Sequence, residues 1–323
     1  HVVHSASLDA SGASDASDVL GVLAQDAFGV SFRGIKLQVG WMGWRPGLVA
    51  GKTLRNPGLV PIPALAWHVR ESRLPGSDSA AGRVIAMHNT NDKVAVVTGG
   101  SAGIGEAACR ALAGDGWMVY VAARRIERCE QIAQEIGGVA VGLDVRDEGS
   151  VEKLQALERV DLLVNNAGGA KQLDYLRDAN AEDWQWMFDT NVMGTMRVTK
   201  ALYQQLKAAK GLVINIGSVA GTDAYPGGSG YNAAKHGLRG MTRAMRREEA
   251  PDIRVCEIDP GRVKTDFSLN RFDGDTQRAA AVYEGKLNLT ADDVAEAIRW
   301  VASLPPHVNI DALSIMPADQ AER

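Results

Sequence analysis

Tyr231 and Lys235 stand four positions apart in Tyr231-Asn232-Ala233-Ala234-Lys235, with Ser218 thirteen positions before the tyrosine and Asn191 further upstream. Residues three or four apart on a helix share a face, so the Lys235 ammonium can approach the Tyr231 phenol and favour its ionised form. A phenol that titrates near ~10 when unperturbed then exchanges protons closer to neutrality. Together the four side chains read as one acid–base site. Alone, a Tyr-x-x-x-Lys pair is equally an amphipathic residue beside a solvated charge, so its neighbours in the sequence decide the matter.

The apolar run Val94-Ala95-Val96-Val97-Thr98 ends in Gly99-Gly100-Ser101-Ala102-Gly103-Ile104-Gly105, and an alanine-rich segment suited to a helix follows. A strand, a glycine turn and a helix in succession let backbone amides and the positive end of the helix dipole approach a pyrophosphate. The spacing of Gly99, Gly103 and Gly105 is not Gly-x-Gly-x-x-Gly, and as an isolated string it also fits a tight turn.

Thr98 to Gly105, Asn165-Asn166-Ala167-Gly168, Asn191, Ser218, Tyr231 with Lys235, and Pro260-Gly261 fall in the order and spacing of the short-chain dehydrogenase/reductase family. The chain resembles that family over about residues 91–320. The resemblance implies hydride transfer between a nicotinamide and a carbon bearing a hydroxyl or carbonyl. Tyr231 would exchange the proton, Ser218 would hydrogen-bond the substrate oxygen, and Lys235 would lower the tyrosine pKa and bind the nicotinamide ribose. Asn191 would hold a water linking Lys235 to solvent; its plainer reading is a polar group satisfying a helix bend.

The same resemblance implies cofactor contacts from Gly99, Ser101, Gly103, Ile104 and Gly105 around the phosphates. Asp144 with Val145 would meet the adenine, and Asn165, Ala167 and Gly168 the adenosine ribose. Tyr231, Lys235, Pro260, Gly261, Val263 and Thr265 would surround the nicotinamide. Asp144 also fits a helix N-cap, and Asn165 a brace between strands. Where an NAD enzyme places an acid to bind the ribose 2'-hydroxyl, this chain has Ala123, followed by Arg124 and Arg125. Guanidinium donors suit a 2'-phosphate, so the expected cofactor is NADP(H). A solvated basic start to the next helix is the alternative.

Apolar runs at 94–98, 118–122, 139–143, 162–165, 212–216, 254–258 and 312–316 alternate with helical patterns. This predicts an α/β fold, a single doubly wound Rossmann-type domain with a parallel sheet and helices on both faces. Thr98, Asp144, Asn165, Ser218 and Pro260 each follow an apolar run directly, at the strand ends where such sheets bind ligands. The expected domain spans residues 87–323.

Residues 1–86 behave differently. A Ser-, Ala- and Asp-rich start gives way to a stretch with seven Lys/Arg, one acid and five prolines, and neither helical nor strand periodicity persists. We expect a disordered or non-native extension, such as an over-extended reading frame or a fusion, with Met87 just before the first strand. The basic start and continuous apolar core of a secretory signal are lacking, and the four early aspartates argue against a transit peptide. Nor does any span reach the ~20 apolar residues of a membrane helix.

With 46% hydrophobic residues, 23% charged residues and a net charge of −4, the chain can bury a sizeable core and has no basic bias toward nucleic acid. Cys109, Cys129 and Cys256 form no Cys-x-x-Cys pair, which predicts reduced thiols in a cytoplasmic protein. The six histidines do not cluster, so no metal site is expected.

The last third resembles the branch of NADP-dependent 3-hydroxy acid dehydrogenases, which act on serine, allo-threonine and 3-hydroxypropionate or malonic semialdehyde. A general aldehyde/ketone reductase, resembling the clavulanate-aldehyde type, is the alternative, and a catalytically silent NADP-binding regulator a third reading. A small acid needs a cation, and Arg271 is the candidate, with Arg262 and Lys264 as competitors. Gly227, Gly228, Ser229 and Gly230 suggest open space beside Tyr231, while Trp184, Trp186 and Phe188 suggest core or subunit packing. Members of the resembled family form tetramers or dimers, so a homo-oligomer is expected.

Overall fold

The computed structural model describes residues 93–321. The expectations for residues 1–86, and Met87 at the expected domain start, lie outside the described residues.

Seven strands form one sheet: β1 (Val94–Thr98), β2 (Met118–Ala123), β3 (Val139–Gly142), β4 (Leu162–Asn165), β5 (Leu212–Ile216), β6 (Arg254–Pro260) and β7 (Ala312–Ile315). Their order is β3-β2-β1-β4-β5-β6-β7, and every pairing is parallel. Parallel neighbours need crossovers, and these are supplied by α1 (Gly103–Gly114), α2 (Ile126–Ile136), α3 (Glu148–Glu152), α4 (Ala181–Phe188), α5 (Gly194–Ala201), α6 (Tyr203–Ala209) and α7 (Ser229–Glu249). The last crossover, from β6 to β7, runs through the short helices α8 (Phe267–Arg271) and α9 (Thr276–Ala281) and then α10 (Ala291–Ser303). Thr290 caps α10 through a reciprocal bond with Asp293.

Successive strand residues point to opposite faces, so both faces must be apolar and both are covered. Ala95, Val97, Val119, Val121, Ile214 and Ile258 pack under α1, α2 and α10, whereas Val96, Ala122, Leu163, Val213 and Val255 pack with the helices of the other side. The sheet reverses direction of travel between β1 and β4, and the chain ends that diverge there open a crevice.

A buried polar relay ties the second helical layer to the sheet. Asn165 Nδ2 donates to Thr199 Oγ1 on α5 (3.0 Å) and to Asn215 Oδ1 on β5 (2.9 Å). Asn215 Nδ2 in turn donates to Thr242 Oγ1 on α7 (2.9 Å). Of the two roles foreseen for Asn165, the structure places it as the brace, and its side chain does not reach the crevice. A single residue decides this: Asn165 ends β4 facing the helices, and Asn166 faces the ligand side.

Asn165→Ala would leave Thr199 and Asn215 short of a donor in a buried setting. It is expected to lower the unfolding free energy by about 2–4 kcal/mol, measured by urea denaturation.

Candidate functional site

The carboxyl ends of the strands open onto a cleft of about 1440 Å³. Its first end is built by the turn between β1 and α1. Gly99 has φ +67°, and a Cβ on Gly105 would run into the Gly99 carbonyl, so the turn folds tightly only with glycines there. Gly105 therefore acts from behind, whereas Gly99, Ser101, Gly103 and Ile104 line the cleft. The N-cap of α1 is Ala102, which supplies no side-chain cap, so the first-turn amides are left for an anion.

Thr98 sets the width of this end. Its hydroxyl accepts from the backbone N–H groups of Asn166 and Ala167, both at 3.0 Å, and Asn166 Nδ2 donates to the Thr98 (3.0 Å) and Gly99 (3.3 Å) carbonyls. Ala167 and Gly168 are thereby held as part of the wall. The sequence places Asn166 within the Asn165–Gly168 motif, but its side-chain grip on Thr98 and Gly99 shows only in the fold.

Ala123 ends β2 with no acid following it. Arg125 donates to the Ser101 hydroxyl (Nε, 3.3 Å; Nη2, 3.2 Å) and to its carbonyl (3.0 Å), fastening the glycine turn, and Arg124 is exposed at the same rim. Asp144 and Val145 line the cleft after β3. The Asp144 carboxylate accepts from Arg146 through Nε (3.3 Å), Nη2 (3.0 Å) and the backbone N–H (3.0 Å), and those bonds hold its pKa low against the opposing effect of burial. The helix cap in Asp144-Val-Arg-Asp147 falls to Asp147, which accepts from Ser150.

At the far end, Ser218 follows β5, and Tyr231 and Lys235 stand one turn apart on α7. Tyr231 is packed edge-on against Phe267, with ring centroids 5.7 Å apart. Burial pushes its phenol well up, while a hydrogen bond with Ser218 and the charge of Arg271 oppose that shift. The expected depression of the tyrosine by Lys235 is not what this geometry gives: the Lys235 ammonium donates to the Ile216 carbonyl (2.9 Å) and lies 5.7 Å from the Tyr231 ring centroid. Burial instead lowers Lys235 to about 8, partly offset by Asp259 and Glu257.

Asn191 lies in a π-helical turn, Asp189–Met193, between α4 and α5. Both its amide hydrogens are engaged, with the Gly169 carbonyl (2.8 Å) and the Met187 carbonyl (2.7 Å), and its oxygen accepts from the Gly169 N–H (3.2 Å). The structure thus gives Asn191 the helix-bend role and a grip on the cleft wall at Gly169, with no direct contact to Lys235 among its bonds.

Pro260, Gly261, Val263 and Thr265 continue the wall after β6. Arg262 is committed elsewhere, to Asn288 (3.0 Å), the Leu287 carbonyl (2.8 Å) and Asp319 (2.7 Å), and Lys264 is exposed outside the cleft. Arg271 is different: it is 8% exposed, lines the cleft, and sits 5.7 Å from the Tyr231 ring centroid. Its Nε donates to the Gln172 carbonyl (2.8 Å) and one Nη2 hydrogen to the Tyr225 hydroxyl (3.0 Å). Among the described residues it has no carboxylate partner.

The glycines before Tyr231 do not open space as expected. A side chain on Gly228 would strike the Tyr225 ring, and one on Gly230 would meet Trp184 and Met187. Trp184 packs there, Trp186 lines the cleft under Lys171, and Phe188 is 43% exposed. No helix among the described residues is long and apolar enough to cross a membrane.

Comparison with known proteins supports the same arrangement. An uncharacterised oxidoreductase of Mycobacterium tuberculosis is 52% identical over 235 residues, covering 72% of this chain and 94% of the relative. Serine 3-dehydrogenase of Agrobacterium fabrum is 38% identical over 234 residues, covering 70% of this chain and 94% of that enzyme. A solved structure, the closed form of serine dehydrogenase complexed with NADP+, superposes with a TM-score of 0.69 at 38% identity, covering 71% of this chain and 96% of that one. The family model for short chain dehydrogenase matches residues 93–275, from the first strand through the last element of the cleft wall described above, and the chain belongs to that family.

Proposed function

We propose that the protein is an NADP(H)-dependent oxidoreductase that interconverts a small 3-hydroxy acid and its carbonyl counterpart, with serine, allo-threonine and 3-hydroxypropionate or malonic semialdehyde as the candidates. Arg271 carries this reading. A guanidinium that is nearly buried, without a carboxylate partner among the described residues, and beside the reactive tyrosine is an incomplete ion pair. A substrate carboxylate completes it. In a 3-hydroxy acid the carboxylate is two carbons removed from the hydroxyl-bearing centre, which lets one end of the molecule meet Arg271 while the other meets Tyr231 and Ser218.

The cofactor half of the cleft fits a phosphorylated dinucleotide. Uncapped amides of α1 suit the pyrophosphate, and the Arg124–Arg125 rim suits a 2'-phosphate where an acid would repel it. The NADP+ held by the related serine dehydrogenase supports the choice. When bound, the nicotinamide supplies or accepts the hydride.

The chain's own residues manage the proton and the geometry. In the reducing direction Tyr231, kept protonated by its burial, donates to the carbonyl oxygen, and Ser218 hydrogen-bonds the same oxygen as charge develops on it. Oxidation reverses the transfer. Lys235 holds a positive charge behind the phenol and would bind the nicotinamide ribose, and Asn191 fixes the wall at Gly169. The Ser218 hydroxyl oxygen accepts from the Ala220 N–H (3.2 Å), which orients it. The free, buried cysteines Cys109, Cys129 and Cys256 suit a reducing compartment, so the cytoplasm is the proposed location. A homodimer or homotetramer belongs to the same reading, and the exposed Phe188 on α4 suits such a contact.

Tyr231→Phe is expected to reduce kcat by about 10²- to 10⁴-fold while NADPH binding, followed by fluorescence, persists; near-normal turnover would remove Tyr231 from the chemistry. Replacing Arg271 with Met is expected to reduce kcat/KM for L-serine or 3-hydroxypropionate by about 10- to 100-fold and to spare an uncharged secondary alcohol. Equal losses on both substrates would sink the carboxylate assignment. The double variant Ala123→Asp, Arg124→Ala is expected to move cofactor preference toward NAD, read from the ratio of kcat/KM for the two cofactors.

A further inference from the structure

Glu257 and Asp259 lie two residues apart on β6, so both point to the same face, toward α7. Each is 1% exposed. They lie directly behind the proposed reaction centre: Asp259 Oδ1 accepts from the Ser218 N–H (3.1 Å), and Asp259 Oδ2 from Arg239 Nη1 (2.8 Å). Glu257 Oε1 is 3.6 Å from the same Arg239 nitrogen and makes no hydrogen bond. A side chain on Gly217 would collide with the Asp259 carboxylate, so the β5 turn closes down on the pair only because position 217 is glycine.

Two buried carboxyl groups share one guanidinium, and the next cation is Lys235, one turn from Arg239 on α7. The remaining groups around them are few. Tyr231 faces the pair from α7, β5 offers the uncharged Asn215 amide beside Glu257 and backbone at Ile216 and Gly217, and beyond β6 the Asp311 carboxylate is already bound to Arg246. Burial, with the charge of Asp259 next to it, pushes Glu257 up to about 8. Burial thus favours a proton on Glu257, which is released as pH rises.

We propose that the Glu257–Asp259 pair, clamped by Arg239, is a positioning element for the reaction centre that fixes the Ser218 turn and sets the protonation of Lys235 from behind. When the pair takes up a proton, Lys235 loses part of its counter-charge and releases its own proton more readily. When the pair is fully ionised, the ammonium is retained. Neither acid touches substrate or cofactor. The link from Lys235 to turnover rests on the proton-transfer role proposed above, whereas the link from the pair to Lys235 does not.

The experiment separates these two links. The full chain is labelled with 13C at lysine Cε, the Lys235 resonance is assigned by its loss in Lys235→Met, and its titration is followed by NMR. Glu257→Gln removes one potential negative charge at constant shape and is expected to lower the Lys235 midpoint by about 0.5–1 unit. Replacing Arg239 with Gln removes the competing positive charge and is expected to raise it by a similar amount, so the two variants must move in opposite directions. A Lys235 titration unchanged in either folded variant overturns the proposal. The alkaline limb of kcat is expected to follow the lysine in both. If the lysine moves and the rate limb does not, the role of Lys235 in proton transfer fails, and the coupling to Glu257 and Asp259 stands.

Discussion

The hydroxyl of Thr98 is the joint on which the cleft depends. At the point where the sheet changes its direction of travel, the backbone ladder between β1 and β4 runs no further than Val97 and Val164. One hydroxyl takes both the Asn166 and Ala167 N–H groups, and the Asn166 amide returns two bonds to Thr98 and Gly99. The crevice is thus opened by topology and kept from opening further by one threonine and one asparagine. Everything on its walls inherits its position from that limit, because the glycine turn and the turn after β4 are the two lips.

At the opposite end the environment is dry and crowded with charge. Tyr231, Lys235, Glu257, Asp259 and Arg271 are all at most 8% exposed. Removing these groups from water disfavours their charged forms, which raises the tyrosine and Glu257 and lowers the lysine. An enzyme of this family works with groups whose ordinary titration ranges lie far from neutrality, and burial brings Lys235 and Glu257 near it from opposite sides. Arg271 lies among them with no carboxylate partner among the described residues.

Much of this was legible in the sequence because apolar runs and glycine turns obey local rules. The seven runs correspond to the seven strands, and Ser218, Tyr231 and Lys235 fall together at the strand ends as the family pattern requires. β6 shows where legibility stops: its apolar run breaks off at Ile258, yet the strand continues to Pro260, since β7 pairs with Asp259 and Pro260. Buried acids inside a strand look like a strand's end when burial is unknown. The roles of Asn165 and Asn166 were blurred for a related reason, as alternation assigns neighbours to opposite faces but the sequence does not say which face holds the ligand. Gly228 and Gly230 misled in the same way, because their missing side chains make room for Tyr225 and Trp184, which lie far enough along the chain, or point back so sharply, that spacing gives no hint of the contact.

The π-helical turn at Asp189–Met193 has a consequence for how this scaffold tolerates change. Such a turn carries one more residue than a regular α-helix over the same rise, and each residue advances the helix by about 100°. The helical stretches before and after it are therefore out of phase by one step: Met187 and Val198, eleven residues apart, would share a face of an unbroken helix, yet Met187 packs with Tyr231 and Leu238 and Val198 with Leu163 and Val213. Loss of a single residue there would restore an unbroken helix and swing the whole of α5 out of phase with the sheet. The chain length of this segment is consequently fixed to the residue, so variation in this lineage is expected to be confined there to exchange of side chains and to find its insertions in the loops at the rim.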